Sequence, residues 1–241
     1  MDIGILGYGR FGSLIDMILK ERLGIDAKIY SPDQQIDNKR FFDMDKVLKS
    51  EIIIICVPIS SFEEVIKLIS NKVNPNSMIV DVCSVKVHPV KVMKKYLPDK
   101  IDILATHPMF GPDSTKNGTT FDGLKFIYYP VRIKNIDRAN LLLTLLEKLG
   151  LEIIELTPED HDKQAAYTHA YAFLVGKIGM MMEIRKNNIS TKGFENLIYN
   201  QTAVENDTGQ LFHDMMTYNP YSNEMRANFR KTLNEIEGSL N

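Results

Sequence analysis

A doubly wound α/β domain followed by an all-helical region is the fold class that this sequence predicts, and three observations predict it. Over the first 157 residues, short β-branched runs alternate with segments of helical spacing. The β-branched runs are continuously apolar instead of alternating, as strands of a parallel sheet covered on both faces require. Beyond residue 157 the pattern is helical almost throughout. The expected division is therefore a parallel-sheet domain over 1–157 and a helical domain over 158–241.

Taken in order, strands are expected over 3–6, 27–30, 52–57, 78–82 and 103–105, with helices over 11–23, 62–69 and 90–96 between them. Two further strands, 124–129 and 151–156, flank a helix near 138–149 and are expected to close the far edge of the sheet. Thr157-Pro158-Glu159-Asp160 then reads as a helix start, with Thr157 as cap, Pro158 in the first turn and Asp160 completing a capping box. That helix is expected to reach about residue 186, followed by helices over 192–203, 210–218 and 223–239. Ala165, Ala166, Ala170, Ala172, Gly176 and Gly179 keep the first of these slim. A second helix can then approach closely, either within the domain or across a dimer interface.

Composition narrows the function. The chain has 241 residues, 44% hydrophobic and 25% charged, the balance of an ordinary globular protein. Its 29 basic and 31 acidic residues give a net charge of −2, which argues against nucleic acid and anionic membrane as partners. Cys56 and Cys83 sit in apolar or β-branched stretches and read as buried thiols in a reducing compartment, with no disulfide framework and no metal site. No apolar run is long enough for a bilayer, and the first residues lack a signal-like segment, so a cytoplasmic location is expected.

Gly7-Tyr8-Gly9-Arg10-Phe11-Gly12 follows an expected strand and opens an expected helix. In that context Gly7 permits the tight turn, Gly9 lets backbone approach a pyrophosphate, and Gly12 lets the helix pack on the strand. The amides at the helix start then face the phosphates. This makes the first domain Rossmann-type, with Val57-Pro58 after the third strand at the same edge. The second strand ends at Tyr30-Ser31, where an NAD-specific site carries an acid. Uncharged Ser31 does not repel a 2′-phosphate, but Pro32 occupies the next position and no arginine follows. Asp33 remains within reach of a ribose, while Lys39 and Arg40 either reach a phosphate or, the favoured reading, form a solvated face. The balance favours NADP over NAD.

Asp81-Val82-Cys83-Ser84-Val85-Lys86 ends the fourth strand, and Thr106-His107-Pro108-Met109-Phe110-Gly111-Pro112 ends the fifth. Both lie at the carboxyl edge of the sheet, where ligands bind in open α/β folds. A histidine there, held by a proline and a glycine-containing turn, is placed to move a proton beside a nicotinamide.

Together these segments and His161-Asp162 resemble the prephenate/arogenate dehydrogenase family of tyrosine biosynthesis, most closely its plant-type arogenate branch. The likeness continues at Thr191-Lys192-Gly193-Phe194-Glu195. It implies an NAD(P)-dependent oxidative decarboxylation: hydride leaves C4 of a cyclohexadienol, a base removes the 4-hydroxyl proton, and C1 loses carbon dioxide. His107 matches the family's catalytic histidine and Ser84 the serine that orients the hydroxyl. It also implies a homodimer formed through the helical domain.

The chain departs from the family pattern in two places. Where many members have a histidine near the substrate, this chain has Phe173, and His169 lies one helical turn earlier on the same face. His169 is thus either a substitute or an ordinary helix-surface residue. The stretch Gln210-Leu211-Phe212-His213-Asp214 lacks the arginine that some members use for substrate carboxylate. Arg226, Arg230 and Lys86 are the candidate cations, each also readable as a solvated or structural charge. Asp207 is expected to prefer the ammonium of arogenate over the keto group of prephenate, and with Gln210 it also fits a helix N-cap. A β-hydroxyacid or imine reductase would need a catalytic lysine motif that is not found after the sheet. A non-catalytic NAD(P)H sensor would give no reason for Ser84 and His107 to occur together.

Overall fold

The structure, a computed structural model, describes residues 1–114 and 120–240, which form two compact units, Met1–Pro158 and Glu159–Asn241. Seven strands build the sheet of the first unit: β1 (Ile3–Leu6), β2 (Lys28–Tyr30), β3 (Ile52–Ile55), β4 (Met78–Asp81), β5 (Asp102–Pro108), β6 (Lys125–Arg132) and β7 (Glu152–Glu155). Their order is β2-β1-β3-β4-β5-β6-β7. The first five are mutually parallel, β6 is antiparallel to β5, and β7 runs parallel to β6. Strands β1, β3 and β4 are buried at every position, which is why their sequences are apolar runs, broken only by Asp81 at the end of β4. From β1 the chain steps outward to β2 and then returns to β3 on the other side of β1. The crevice outside the carboxyl ends of β1 and β3 is the switch point at which such sheets bind ligands.

Helices α1 (Arg10–Met17), α2 (Met44–Val47), α3 (Ile59–Ile69), α4 (Val87–Tyr96) and α5 (Ile136–Glu147) belong to this unit. Helix α1 continues as a π-helical turn over Ile18–Arg22, and α2 is a single turn with no expectation behind it. Between β2 and α2 the chain doubles back along the outer edge of the sheet. Ile29 N donates to the Arg40 carbonyl at 3.0 Å and Phe42 N to the Ile29 carbonyl at 2.9 Å, so residues 40–42 flank β2 as a short strap.

Strand β5 corrects the expectation that it stops at residue 105. Its parallel pairing with β4 ends at Asp81 and Ala105, but the antiparallel ladder with β6 carries on through His107 opposite Ile127 and Pro108 opposite Phe126. His107 is therefore a strand residue held by a ladder. Pro108, which has no amide to donate, is tolerated because it ends the strand.

In the second unit, α6 (Pro158–Ala165), a π-helical turn (Ala166–Ala170) and α7 (Tyr171–Met181) follow one another, then α8 (Lys192–Asn206), α9 (Gly209–Tyr218) and α10 (Ser222–Ser239). The small residues of α7 admit α8. A Cβ on Gly176 would lie 2.8 Å from Val204 Cγ2, and one on Gly179 would lie 2.6 Å from Gln201 Oε1. At these two glycines the close partner is a helix of the same chain. Asn200 fixes the approach by donating to the Ala172 carbonyl at 2.8 Å. Among the described residues no helix is long and apolar enough to cross a membrane.

The expectation that the helix reaches residue 186 is also corrected. Ile184 N donates to the Gly179 carbonyl and Glu183 N to the Met180 carbonyl, both at 3.0 Å, with Glu183 in the left-handed region at φ 54°. These are the two bonds of a Schellman ending, with glutamate at the position where glycine is usual. The stop was invisible because its ordinary marker is missing. Glu183→Gly is expected to stabilise the fold by about 1 kcal/mol through relief of left-handed strain, read as a higher urea midpoint at unchanged slope.

Candidate active site

Each glycine of the Gly7–Gly12 loop meets a different steric demand. Gly7 ends β1 with φ 98° and donates to the Tyr30 carbonyl at 2.8 Å. A Cβ there would collide with the Cys56 carbonyl, and one on Gly12 with the carbonyl of Gly7. Gly9, at the N-cap of α1, has no atom within 4 Å of its Cβ position. The first and third glycines thus close the strand–helix corner, and the middle one faces open space of the kind a pyrophosphate needs. Arg10 ion-pairs with Asp113 at 2.6 Å, and half-buried Phe11 packs with Leu14, Ile18 and Phe110. Val57 and exposed Pro58, the N-cap of α3, leave β3 at the same edge, and buried Ser31 follows β2. Cys83 is buried and Cys56 half-buried, and burial pushes the Cys56 thiol up to about 12.

Arg40 is not part of a solvated face. Its guanidinium donates to the Tyr8 hydroxyl and to Asp16, a carboxylate of α1 with 4% side-chain exposure. It lies over the rings of Tyr8 and Phe41, 5.2 and 5.6 Å from their centroids. This meeting is not written locally, since Arg40 reaches Tyr8 and Asp16 only through the strap.

The second group of residues leaves the same sheet edge one and two strands further on. Asp81 and Ala105 are in register, so Ser84 and His107 stand three and two residues beyond one ladder rung. His107 is buried and Ser84 half-buried. Beneath them lies a charged knot. Lys86, 1% exposed, donates to the Asp81 carboxylate and to the Thr106 carbonyl. Asp81 also accepts from Cys83 N at 3.0 Å and Thr106 N at 3.3 Å, and the Thr106 hydroxyl donates to the Asp81 carbonyl. Burial pushes the Asp81 carboxyl above its usual range, against the pull of Lys86 and the two amides. Lys86 is thus corrected from a candidate substrate cation to a buried structural one.

The remaining candidates lie in the second unit. His161 Nδ1 is 2.8 Å from Asp162 Oδ1, both buried, and Asn219 donates to the Asp162 carbonyl at 2.8 Å. His169 stands in the π-helical turn, edge-on to buried Phe173 with centroids 5.0 Å apart. Burial first, and the nearby His161 second, push its pKa down to about 4, so it is a neutral imidazole and not an ordinary surface histidine. Asp207 is the C-cap of α8, whereas the N-cap of α9 is Thr208, which accepts from Leu211 N at 3.2 Å. The expected N-cap at Asp207 is thereby corrected to Thr208, and the Gln210 side chain donates to Asp214 at 2.6 Å. Half-buried Arg226 bonds Asn223 on α10, and its Nε is buried without a partner, while Arg230 is exposed.

Comparison with known proteins adds the following. Residues 29–155 match the family model described as prephenate dehydrogenase, nucleotide-binding domain, and residues 178–241 match one described as TYRAAT1-like, C-terminal domain. Arogenate dehydrogenase 2, chloroplastic, of Arabidopsis thaliana is 32% identical over all of this chain and 70% of its own length. A probable arogenate/prephenate dehydrogenase of Methanocaldococcus jannaschii is 26% identical over 80% of this chain and 44% of its own. Among solved structures, prephenate dehydrogenase from A. aeolicus in complex with hydroxyphenyl propionate and NAD+ superposes with TM-score 0.76 at 18% identity, covering 100% of this chain and 91% of that one. Synechocystis arogenate dehydrogenase gives 0.69 at 21% identity, covering 100% and 92%. At these identities the two structures bear on the fold alone.

Asp81→Asn leaves Lys86 uncompensated and is expected to cost about 3–5 kcal/mol; adding Lys86→Met should return much of that loss in the same urea titration. A second expectation concerns pH. The unfolded chain protonates His169 near 6.5 and the folded chain only near 4, so stability is complete above 6.5 and falls as pH drops toward 4. The loss reaches up to about 3 kcal/mol, and His169→Gln should flatten that part of a stability-against-pH curve.

Proposed function

Because the chain belongs to the prephenate/arogenate dehydrogenase family, we propose that it catalyses the oxidative decarboxylation of arogenate to tyrosine with NADP as the favoured dinucleotide. The observation that carries this reading is the departure of Ser84 and His107 from adjacent, in-register strands, on the sheet edge that also bears the glycine loop. When bound, the dinucleotide supplies the hydride acceptor for C4 of the substrate. Gly7, Gly9, Gly12, Val57 and Pro58 would hold it, and the open space at Gly9 fits that task. Neutral His107 takes the 4-hydroxyl proton, and Ser84 orients that hydroxyl toward it. Because His107 is fixed in the β5–β6 ladder, little reorganisation is left for the proton transfer. The absence of an acid at Ser31 favours NADP over NAD.

In the helical unit, Arg226 is the cation we assign to substrate carboxylate, since its Nε has a donor to spare. Neutral His169 contributes shape and a hydrogen bond without adding charge. Asp207, at the junction of α8 and α9, is the acid we assign to the arogenate ammonium. The helical unit exposes Met181, Ile189, Leu197 and Tyr199, which supports association with a second copy.

The test is nicotinamide reduction with arogenate or prephenate, each with NAD or NADP, in the native chain and in His107→Asn. We expect turnover of arogenate with NADP, lowered by about 10²–10⁴ in kcat in the variant, with dinucleotide affinity unchanged. Turnover of prephenate alone would make the reaction product 4-hydroxyphenylpyruvate and remove the role given to Asp207. Oxidation of neither substrate by a chain that binds the dinucleotide would overturn the dehydrogenase reading.

A further inference from the structure

We propose that Arg40 is the residue that receives the 2′-phosphate of NADP and so sets the dinucleotide preference, an inference that rests on the dinucleotide reading given above. An NADP site needs a cation near the end of the second strand. Here Ser31 is uncharged and Pro32 follows it, so no neighbouring side chain supplies one. The strap brings a cation from nine residues further along the chain. Arg40 is bonded through its carbonyl to Ile29 N, two residues before Ser31, while Gly7, next to Tyr8, is bonded to the Tyr30 carbonyl. Arg40 and the glycine loop are thereby tied to the same strand, from opposite sides.

The side chain is held with one edge engaged. Its Nη2 donates to both the Tyr8 hydroxyl and the Asp16 carboxylate, and the Tyr8 hydroxyl itself donates to Asp16 at 3.2 Å. Tyr8 and Phe41 meet edge to face at 5.1 Å and support the guanidinium plane. Yet the Arg40 side chain remains 45% exposed, and its Nε and Nη1 take no partner among the described residues. A half-exposed guanidinium held through Nη2, with two donors unengaged, is suited to bidentate recognition of a phosphate. The strap is itself rigid at its turn, where Asp37 accepts from the amides of Lys39, Arg40 and Phe41 and is drawn down to about 2 by them.

The competing role is that Arg40 serves only as counter-ion to buried Asp16. Calorimetric titration of the full chain with adenosine 2′,5′-bisphosphate and with 5′-AMP separates the two, because these ligands differ only in the 2′-phosphate. We expect the native chain to bind the bisphosphate about tenfold more tightly or better, and Arg40→Gln to bring the two ligands within about twofold of each other with 5′-AMP affinity kept. Arg40→Lys should retain part of the preference. Should Arg40→Gln unfold because Asp16 is left bare, Asp16→Asn with Arg40→Gln removes both charges and gives the same reading. Equal binding of the two ligands by the native chain, or a preference that survives in folded Arg40→Gln, would overturn the assignment. If the chain binds neither NAD nor NADP, the dinucleotide reading itself falls. That outcome is distinct from a chain that binds both dinucleotides equally.

Discussion

The sheet edge that carries the proposed chemistry is organised by one buried ion pair. Asp81 closes β4 and Lys86 opens the turn into α4, yet their charges meet beside Thr106, the residue before His107. Through that knot the loop bearing Ser84 and the strand bearing His107 share a single anchor. Both groups are almost wholly removed from water, so the pairing offsets part of a large desolvation cost. The arrangement is costly in solvation and returns geometry: two segments 25 residues apart, from Asp81 to Thr106, cannot drift independently. The antiparallel β6 adds the other half of the constraint, by extending β5 three rungs past the parallel sheet.

Much of this was legible in the sequence, and for identifiable reasons. Ile52–Ile55 is a run of four isoleucines, the kind of continuous apolar run that a strand buried on both faces favours. The glycine loop was legible because steric need leaves only glycine at Gly7 and Gly12. The site was legible as a pair of segments, since the alternation of strands and helices brings their ends to one edge.

What escaped was decided by partners distant in sequence. Nothing in Thr106-His107-Pro108 says that a strand continues through a proline; β6, arriving some twenty residues later, supplies the ladder. Lys86 looked like a cation for substrate because its neutralising acid, five residues earlier, could not be seen to fold back on it. Arg40 looked solvated because three interactions had to converge on it from the glycine loop, α1 and the strap. The end of α7 was missed for the opposite reason: a local signal, glycine at Glu183, was simply absent.

The two borders of the sheet are finished differently, and this has a bearing on how the protein behaves at high concentration. At β7 the outermost strand reads Glu-Ile-Ile-Glu, with both glutamates exposed and Glu155 engaged by the Tyr128 hydroxyl at 2.8 Å. Strands from other molecules would meet like charges there, a common defence against edge-to-edge stacking. At β2 the border is covered instead by residues 40–42 of the same chain, which already use the Ile29 amide and carbonyl. The segment that fixes Arg40 thus also blunts a three-residue strand that would otherwise be a template for β-polymerisation. One short strap thus covers the sheet border and carries the arginine proposed to read the nucleotide, so deleting it would compromise solubility together with that binding.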